Sequence, residues 1–250
     1  MSERLTLHFD PQGALLDSAR ACEAEVFLHW YGNTRQQLAQ EYNPYEASSA
    51  FLAIADDQGT VRAAARLLTP GGDAGLKTLT DVAMAPWRVD GRRGAAAAGL
   101  DLSSTWEIAT LGVRRDAQRH GVRLSLALYH GLIAVSRANG MSAFVAVLDE
   151  RVRRLLSSVG LLTQALPGTG PGPYLGSEAS TPVYAHCAPV LENQRRHFPD
   201  AYRLVTLGVG LEDIAVPPPE AFLLRGRTPH DDFALDGSRV IDPSLLGVPA

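Results

Sequence analysis

Apolar side chains recur along the chain at two spacings, and these spacings predict strands and helices in alternation. Apolar residues at every second position are typical of half-buried strands, whereas recurrence at the helical period is typical of amphipathic helices. By these criteria we predict strands at 4–9, 51–55, 60–68, 106–113, 143–148, 161–166 and 182–187. We predict helices at 14–31, 35–41, 76–84, 122–138, 150–158 and 188–198. This order of elements is that of an α+β protein with a mixed sheet.

The most strongly patterned stretch is 105–140, which predicts a strand, a turn and a helix. Trp106 and Ile108 begin a run of side chains that favour strands. The next segment, RRDAQRHG at 114–121, is polar and basic, and helical periodicity then continues to Asn139-Gly140. A strand that enters a helix through such a turn gathers free backbone N–H groups at the positive end of the helix dipole. This arrangement favours the binding of phosphate.

The candidate phosphate-binding residues lie at the end of this strand and in the turn. They are Leu111, Gly112, Val113, Arg115, Gln118, Arg119, His120, Gly121, Val122 and Arg123. The arginines and the glutamine supply side-chain donors, and the remaining positions supply backbone N–H groups. Two alternatives stay open: the segment is a solvated turn before an ordinary core helix, and His120 is an exposed turn histidine.

Composition limits the remaining possibilities. The 250 residues are 46% hydrophobic and carry a net charge of −4, so a real core is expected and a general attraction to nucleic acid is not. We predict one main domain at 1–198 and a C-terminal extension at 199–250 that packs on it or is partly disordered. Surface loops are predicted at 88–102 and 167–176.

Several features predict a reduced, intracellular setting. Cys22 and Cys187 are far apart in the sequence and are expected to be free thiols. No signal-like segment and no apolar run of membrane-spanning length stands out, so a cytoplasmic protein without membrane contact is expected. The histidines lack ligand spacing, so no metal is expected. Lys77 is the single lysine, which we interpret as a bias in base composition.

The segment Gln118-Arg119-His120-Gly121-Val122-Arg123 resembles the acyl-carrier-binding motif Q/R-x-x-G-x-G/A of GNAT-superfamily N-acyltransferases at its first four positions. Four further fragments resemble the acyl-homoserine-lactone (autoinducer) synthase and N-acyl amino acid synthase branch. These are Val26-Phe27, the set Glu41, Asn43 and Glu46, the segment 66–70 (RLLTP), and the segment 106–110 (WEIAT). The resemblance implies a GNAT-like mixed, mostly antiparallel twisted sheet flanked by helices.

The resemblance also implies a function. The chain is expected to move an acyl group from a phosphopantetheine thioester, either acyl-CoA or an acyl carrier protein, to the amine of a small amino-acid-like molecule. Arg-rich segments suit both coenzyme A phosphates and an acidic carrier protein. Glu23, Asn43 and Thr110 depart from the autoinducer synthase pattern, which favours an amine other than the homoserine lactone precursor. The alternative is a catalytically silent module that binds an acyl carrier or acyl ligand. The oligomeric state is left open.

Glu107 is the candidate base, because acyl transfer needs a neutral amine; its alternative role is a salt bridge to Arg66. Backbone N–H groups at 111–113, where the strand is expected to bulge, are candidate donors to the thioester oxygen. The candidate substrate-binding residues are Phe27, Trp30, Glu41, Asn43, Glu46, Arg66 and Thr110. Their alternatives are a core role for the aromatics, a solvated helix end for Glu41, Asn43 and Glu46, and a simple ion pair for Arg66. The hypothesis requires an open groove beside the 105–113 strand, with Glu107 facing it.

Overall fold

A computed structural model describes residues 4–224, apart from the side chains of Gln118 and Arg119. Within these residues the strands are β1 (Leu5–Phe9), β2 (Ser49–Ala55), β3 (Val61–Leu68), β4 (Thr105–Val113), β5 (Ala143–Asp149), β6 (Gln164–Ala165), β7 (Gly172–Tyr174), β8 (Ser177–His186) and β9 (Ile214–Ala215). The α-helices are α1 (Ala14–Tyr31), α2 (Arg35–Tyr42), α3 (Lys77–Asp81), α4 (Gly91–Ala97), α5 (Gly121–Ala138), α6 (Glu150–Ser158), α7 (Cys187–His197) and α8 (Pro199–Ala201). None of the helices described is both long and apolar enough to cross a bilayer.

The strands form one mixed sheet in the order β6-β8-β5-β4-β3-β2-β1-β9, with β7 paired to β8. Neighbouring strands are antiparallel except for β4 with β5 and β1 with β9. The predicted fold class, a mostly antiparallel mixed sheet flanked by helices, is therefore confirmed. The β2–β3 hairpin is closed by its own turn residues, because the Asp56 carboxylate accepts the backbone N–H groups of Gln58 and Thr60, each at 2.9 Å.

Two irregularities in the centre of the sheet create the space for a site. β4 and β5 pair only from Thr105 to Glu107, so the rest of each strand leaves this ladder and the two strands separate. On its other edge β4 contains a bulge, because Arg66 pairs with Thr110 while Leu67 pairs with Ile108. The extra residue is Ala109, and not one of the positions 111–113 where the bulge was expected. A bulged residue leaves the ladder and re-aims its backbone groups.

The two faces of the sheet are covered by different helices. Trp106 and Ile108 pack with α5 in the main hydrophobic core. On the opposite face, the Thr110 hydroxyl contacts Glu23 of α1 and Glu107 contacts Thr78 of α3. Side chains alternate along a strand, and the extra residue at Ala109 shifts this alternation by one position, so Glu107 and Thr110 share a face.

Three segments differ from the sequence prediction. The predicted loop 88–102 contains α4, whose N-cap Asp90 accepts the backbone N–H of Arg93. The predicted turn 167–176 contains β7, and the predicted strand 161–166 is reduced to β6. Residues 199–224 pack on the sheet and on α5, with Phe222 only 1% exposed. The rest of the predicted C-terminal extension, 225–250, lies outside the described residues, and the division at 198 stays a prediction.

Gly112 is expected to tolerate no side chain, because a Cβ there would overlap Cγ1 of Val26 in α1. We expect Gly112→Ala to destabilise the fold by about 1–3 kcal/mol, the usual range for overpacking, as measured by urea unfolding. Gly121→Ala is the matched control: nothing lies within 4 Å of its Cβ, so no loss is expected. Adding Val26→Ala to Gly112→Ala should restore part of the loss, and a double variant no better than the single one would contradict the clash.

Candidate functional site

The opening between β4 and β5 leads into an apolar cavity of about 390 Å³. Its wall is formed by both separated strands, by the exposed end of α1 and by the facing sides of α5, α6 and α7. The lining residues include Phe27, Trp30, Tyr31, Ile108, Thr110, Ser125, Tyr129, Leu132, Ile133, Met141, Phe144, Ala146, Leu148, Val152, Leu156, Cys187 and Leu191. A cavity of this size and character suits an elongated apolar ligand.

Several predicted site residues meet at this cavity. Leu111, Gly112, Val113 and Gly121 line it, as do Phe27, Trp30 and Thr110. Trp30 is 55% exposed, so it lies at the rim and not in the core. The groove that the hypothesis required beside β4 is thus present and is not filled by the protein's own side chains.

The basic turn is more dispersed than predicted. Arg115 and His120 are exposed beside the start of α5, and Val122 is 76% exposed. Arg123 does not face the turn: its guanidinium donates to Asp213 Oδ1 at 2.7 Å and to the Gly210 carbonyl at 2.9 Å. The expectation that Arg123 adds a phosphate donor is therefore corrected to a contact with the C-terminal segment. The side chains of Gln118 and Arg119 lie outside the described part of the chain.

The expected orientation of Glu107 is wrong. Its carboxylate accepts the backbone N–H and the hydroxyl of Thr78, each at 2.9 Å, on the face of the sheet opposite α5. The cause is strand alternation: Trp106 and Ile108 face α5, so Glu107 between them faces away. Burial raises the pKa of Glu107 to about 7, although the Thr78 hydrogen bonds oppose the shift.

Arg66 belongs to a buried ion-pair network that does not include Glu107, so the alternative of a Glu107–Arg66 salt bridge is also wrong. Its guanidinium donates to both carboxylate oxygens of Glu23, at 2.9 and 2.8 Å, and to Glu46 Oε1 at 2.7 Å. Thr110 adds a hydroxyl donor to Glu23 at 2.6 Å. Burial tends to raise the pKa of Glu46, but the hydrogen bond and charge of Arg66 outweigh it and lower that pKa.

Glu41 contacts a different cation, Lys77, so the predicted set of Glu41, Asn43 and Glu46 is divided between two networks. Lys77 Nζ is 2.7 Å from Glu41 and 2.6 Å from Asp81, and the lysine side chain is only 3% exposed. Tyr174 donates to the same Asp81 at 2.6 Å. Desolvation favours the neutral amine, but Asp81 and Glu41 prevail and raise the pKa of Lys77. Asn43 is exposed and lies outside both networks.

Sequence reasoning missed two groups of site residues. Lys77, Asp81 and Tyr174 converge from a helix and a predicted turn, and the one available signal was that the chain has a single lysine. Ser125 and Tyr129 lie one helical turn apart on the cavity side of α5, but their spacing is also that of core positions. Among the described residues, no three His, Cys, Asp or Glu side chains group as metal ligands.

The fold is similar to that of two solved acyl-transferring synthases. FeeM, an N-acyl amino acid synthase from uncultured soil microbes, matches with a TM-score of 0.57 at 10% identity, over 77% of this chain and 95% of FeeM. BjaI, a CoA-dependent acyl-homoserine lactone synthase solved with SAM and isopentyl-CoA, matches with a TM-score of 0.56 at 15% identity, over 88% and 97%. No family model and no curated protein sequence matches the chain. The chain therefore has the GNAT-like fold of these synthases, which confirms at the level of fold the resemblance found in its sequence.

Proposed function

We propose that the chain is an N-acyltransferase that moves an acyl group from a phosphopantetheine thioester to the amine of a small amino-acid-like molecule. The observation that carries this proposal is the apolar cavity that begins where β4 and β5 separate. The facing strand edges present backbone N–H and C=O groups, to which the amides of a pantetheine arm can add like a further strand. The apolar wall beyond them suits the acyl chain.

The start of α5 suits the phosphate end of the donor. Gly121 lines the cavity mouth with open space around it, and Arg115 and His120 are exposed beside it. Backbone N–H groups at a helix start attract phosphate, and neighbouring cations strengthen the attraction. Coenzyme A and the phosphopantetheine arm of a carrier protein share this chemistry, and both are proposed donors.

Acyl transfer needs a base on the acceptor side. The requirement that Glu107 face the donor groove is not met, so we propose Glu107 for this role in a changed geometry. It lies two residues before the Ala109 bulge and on the face opposite the donor cavity, so the acceptor amine would approach from that face. A pKa of about 7 suits a group that must accept a proton near neutral pH. Glu41 and Glu46, whose side chains are 42% and 35% exposed, are acidic groups open to solvent that would favour an ammonium-bearing acceptor. Arg66 and Thr110 keep Glu23 and Glu46 in position.

The test offers the purified protein decanoyl-CoA or decanoyl carrier protein, each with the common amino acids and with SAM as acceptors. We expect thiol release and an N-acyl product detected by mass spectrometry. Binding of the donor without product would favour the catalytically silent module, and neither binding nor product would reject the proposal.

Narrowing the cavity should alter selectivity among donors. Ala146 lines the cavity from β5 and is fully buried. We expect Ala146→Leu to slow transfer from the decanoyl donor about 10-fold or more, with less effect on an acetyl donor, because the lost space excludes methylene groups. Ala97→Leu, on an exposed position of α4, is the control and should change neither rate. Equal losses with both donors would contradict an acyl-binding cavity.

A further inference from the structure

Tyr129 lies in the wall of the cavity, and its hydroxyl has no hydrogen-bond partner in the part of the chain that the structure describes. Its side chain is 9% exposed and lines the cavity. Its hydroxyl forms no hydrogen bond within the described residues. The hydroxyl oxygen is nevertheless not fully enclosed by protein atoms, so it borders open space. The open space beside this side chain is the cavity. A hydroxyl that opens on an apolar cavity and has no hydrogen-bond partner among the described residues is available to donate to a ligand in that cavity.

The depth of Tyr129 in the cavity matches that of the β4 bulge. α5 returns antiparallel to β4, and Val113 and Gly121 both line the cavity. Tyr129 lies eight residues beyond Gly121, or about 12 Å along a helix. Ala109 lies four residues before Val113, or about 13 Å along a strand. With Val113 and Gly121 taken as level at the mouth, these rises place Tyr129 and the bulge at about the same depth along the cavity, which both residues line.

The bulge is held from the far side of the sheet. The hydroxyl of Tyr42, which is 2% exposed, donates to the Ala109 carbonyl at 3.3 Å. Because a trans peptide directs its C=O and the following N–H oppositely, this bond fixes the orientation of the bulged backbone. Ala109 lies two residues beyond Glu107, the last β4 residue paired with β5, so at its level a donor can reach the acceptor face.

We propose that the Tyr129 hydroxyl is the side-chain donor that stabilises the oxyanion of the thioester during acyl transfer, an inference that rests on the proposed function. The amine lone pair attacks the thioester carbon, and the C=O electron pair moves onto oxygen, where Tyr129 O–H donates a hydrogen bond. Collapse restores the C=O bond and breaks the C–S bond, so the sulfur leaves with the electron pair. Glu107 accepts the amine proton, the thiolate takes a proton from water, and Tyr129 keeps its own.

The surroundings of Tyr129 suit a donor that does not ionise. Burial raises its pKa to about 12, so the hydroxyl stays protonated throughout the neutral range. Other hydroxyls at the cavity fit the role less well. Thr110 is committed to Glu23 and Ser136 to the Met141 carbonyl, and Ser125 lies one turn nearer the mouth. Tyr31, at the C-terminal end of α1, lies within the electrostatic influence of Asp149 at the end of β5.

The test is the Tyr129→Phe variant, and the first measurement is the infrared spectrum of the bound donor. With decanoyl-CoA labelled with ¹³C at the thioester carbonyl, we expect an infrared carbonyl band at lower frequency on the wild-type protein than on the variant. Turnover should fall about 100- to 1,000-fold, the usual effect of losing one oxyanion donor, with KM little changed. Thermal stability should not fall, because the hydroxyl makes no hydrogen bond to any residue that the structure describes.

Tyr184→Phe is the matched control, since its hydroxyl donates to Gln164 at 2.8 Å outside the cavity. It should lower the unfolding midpoint slightly and leave the carbonyl band and the rate unchanged. If the labelled donor binds and Tyr129→Phe changes neither the band nor the rate, the role of Tyr129 is refuted while the proposed function stands. If neither the CoA nor the carrier-protein thioester binds, the proposed function fails and the role of Tyr129 fails with it.

Discussion

Replacing Arg66 with methionine is expected to destabilise the protein by about 3–5 kcal/mol, the usual cost of breaking a buried ion pair from one side. The loss would leave Glu23, whose side chain is 3% exposed, with the Thr110 hydroxyl as its one remaining donor among residues 4–224. It would also remove a guanidinium that lies 4.6 Å from the Tyr42 ring and 4.7 Å from the Phe51 ring. Urea unfolding at neutral pH measures the change.

Two controls separate the buried charge from the loss of a large side chain. Arg196→Met removes an exposed ion pair with Glu192 and should change stability by no more than about 1 kcal/mol. The double variant Arg66→Met, Glu23→Met removes both charges, and it should recover at least half of the loss because paired replacement of buried ions is often neutral. Glu46 keeps Arg20 as a partner at 2.7 Å. A double variant as unstable as the single one would show that packing by Arg66, and not the unpaired carboxylate, determines the result.

The sequence predicted the frame of the site because the frame depends on local patterns. The strand at 105–113, the polar turn and the helix that follows each carry their own periodicity, and a parallel neighbour for β4 follows from the crossover through α5. The Asp56–Gly59 hairpin likewise depends on local turn chemistry. These elements bring Leu111, Gly112, Val113 and Gly121 to one cavity, as expected.

The sequence did not predict which face of β4 borders the cavity. The alternation of side chains along a strand places Glu107 and Trp106 on opposite faces of the sheet. It does not predict which of the two faces packs against α5. Helical spacing likewise predicts that Tyr129 faces inward but not what surrounds its hydroxyl. An aromatic residue that fills a core and one whose hydroxyl reaches a cavity have the same spacing in the sequence. The Lys77 network joins residues far apart in sequence, so no local pattern encodes it.

Glu107→Gln is expected to lower acyl transfer about 100- to 10,000-fold, the usual contribution of a general base. Glutamine preserves the shape and can still bond Thr78, so donor binding should stay unchanged. The measurement is the rate of thiol release with a fixed amine, across pH. A variant with the wild-type rate would assign Glu107 the structural role of anchoring Thr78 at the start of α3.

Although Glu107→Gln should slow acyl transfer, it should raise the free energy of unfolding at high pH. Measuring rate and stability together distinguishes a catalytic base from an anchor of Thr78. The pKa of Glu107 is raised from 4.5 to about 7 in the folded protein, so the native state binds the proton more tightly than the unfolded chain. The stability supplied by this group is fully present below pH 4.5 and is lost as pH rises through 7. At pH ~8 the charged, buried carboxylate therefore costs about 3 kcal/mol relative to its protonated form.

Glutamine does not titrate, so Glu107→Gln should gain stability over the wild-type protein by about 3 kcal/mol between pH ~4.5 and ~8. Urea unfolding of both proteins at each pH isolates this difference, because other carboxylates titrate equally in the two. A slower variant that is also more stable at high pH is the combination that a catalytic buried carboxylate predicts. The same gain in stability with the wild-type rate would identify Glu107 as an anchor for α3. No pH-dependent difference in stability would mean that Glu107 is ionised at little cost, and its assignment as a base matched to neutral pH would then be withdrawn.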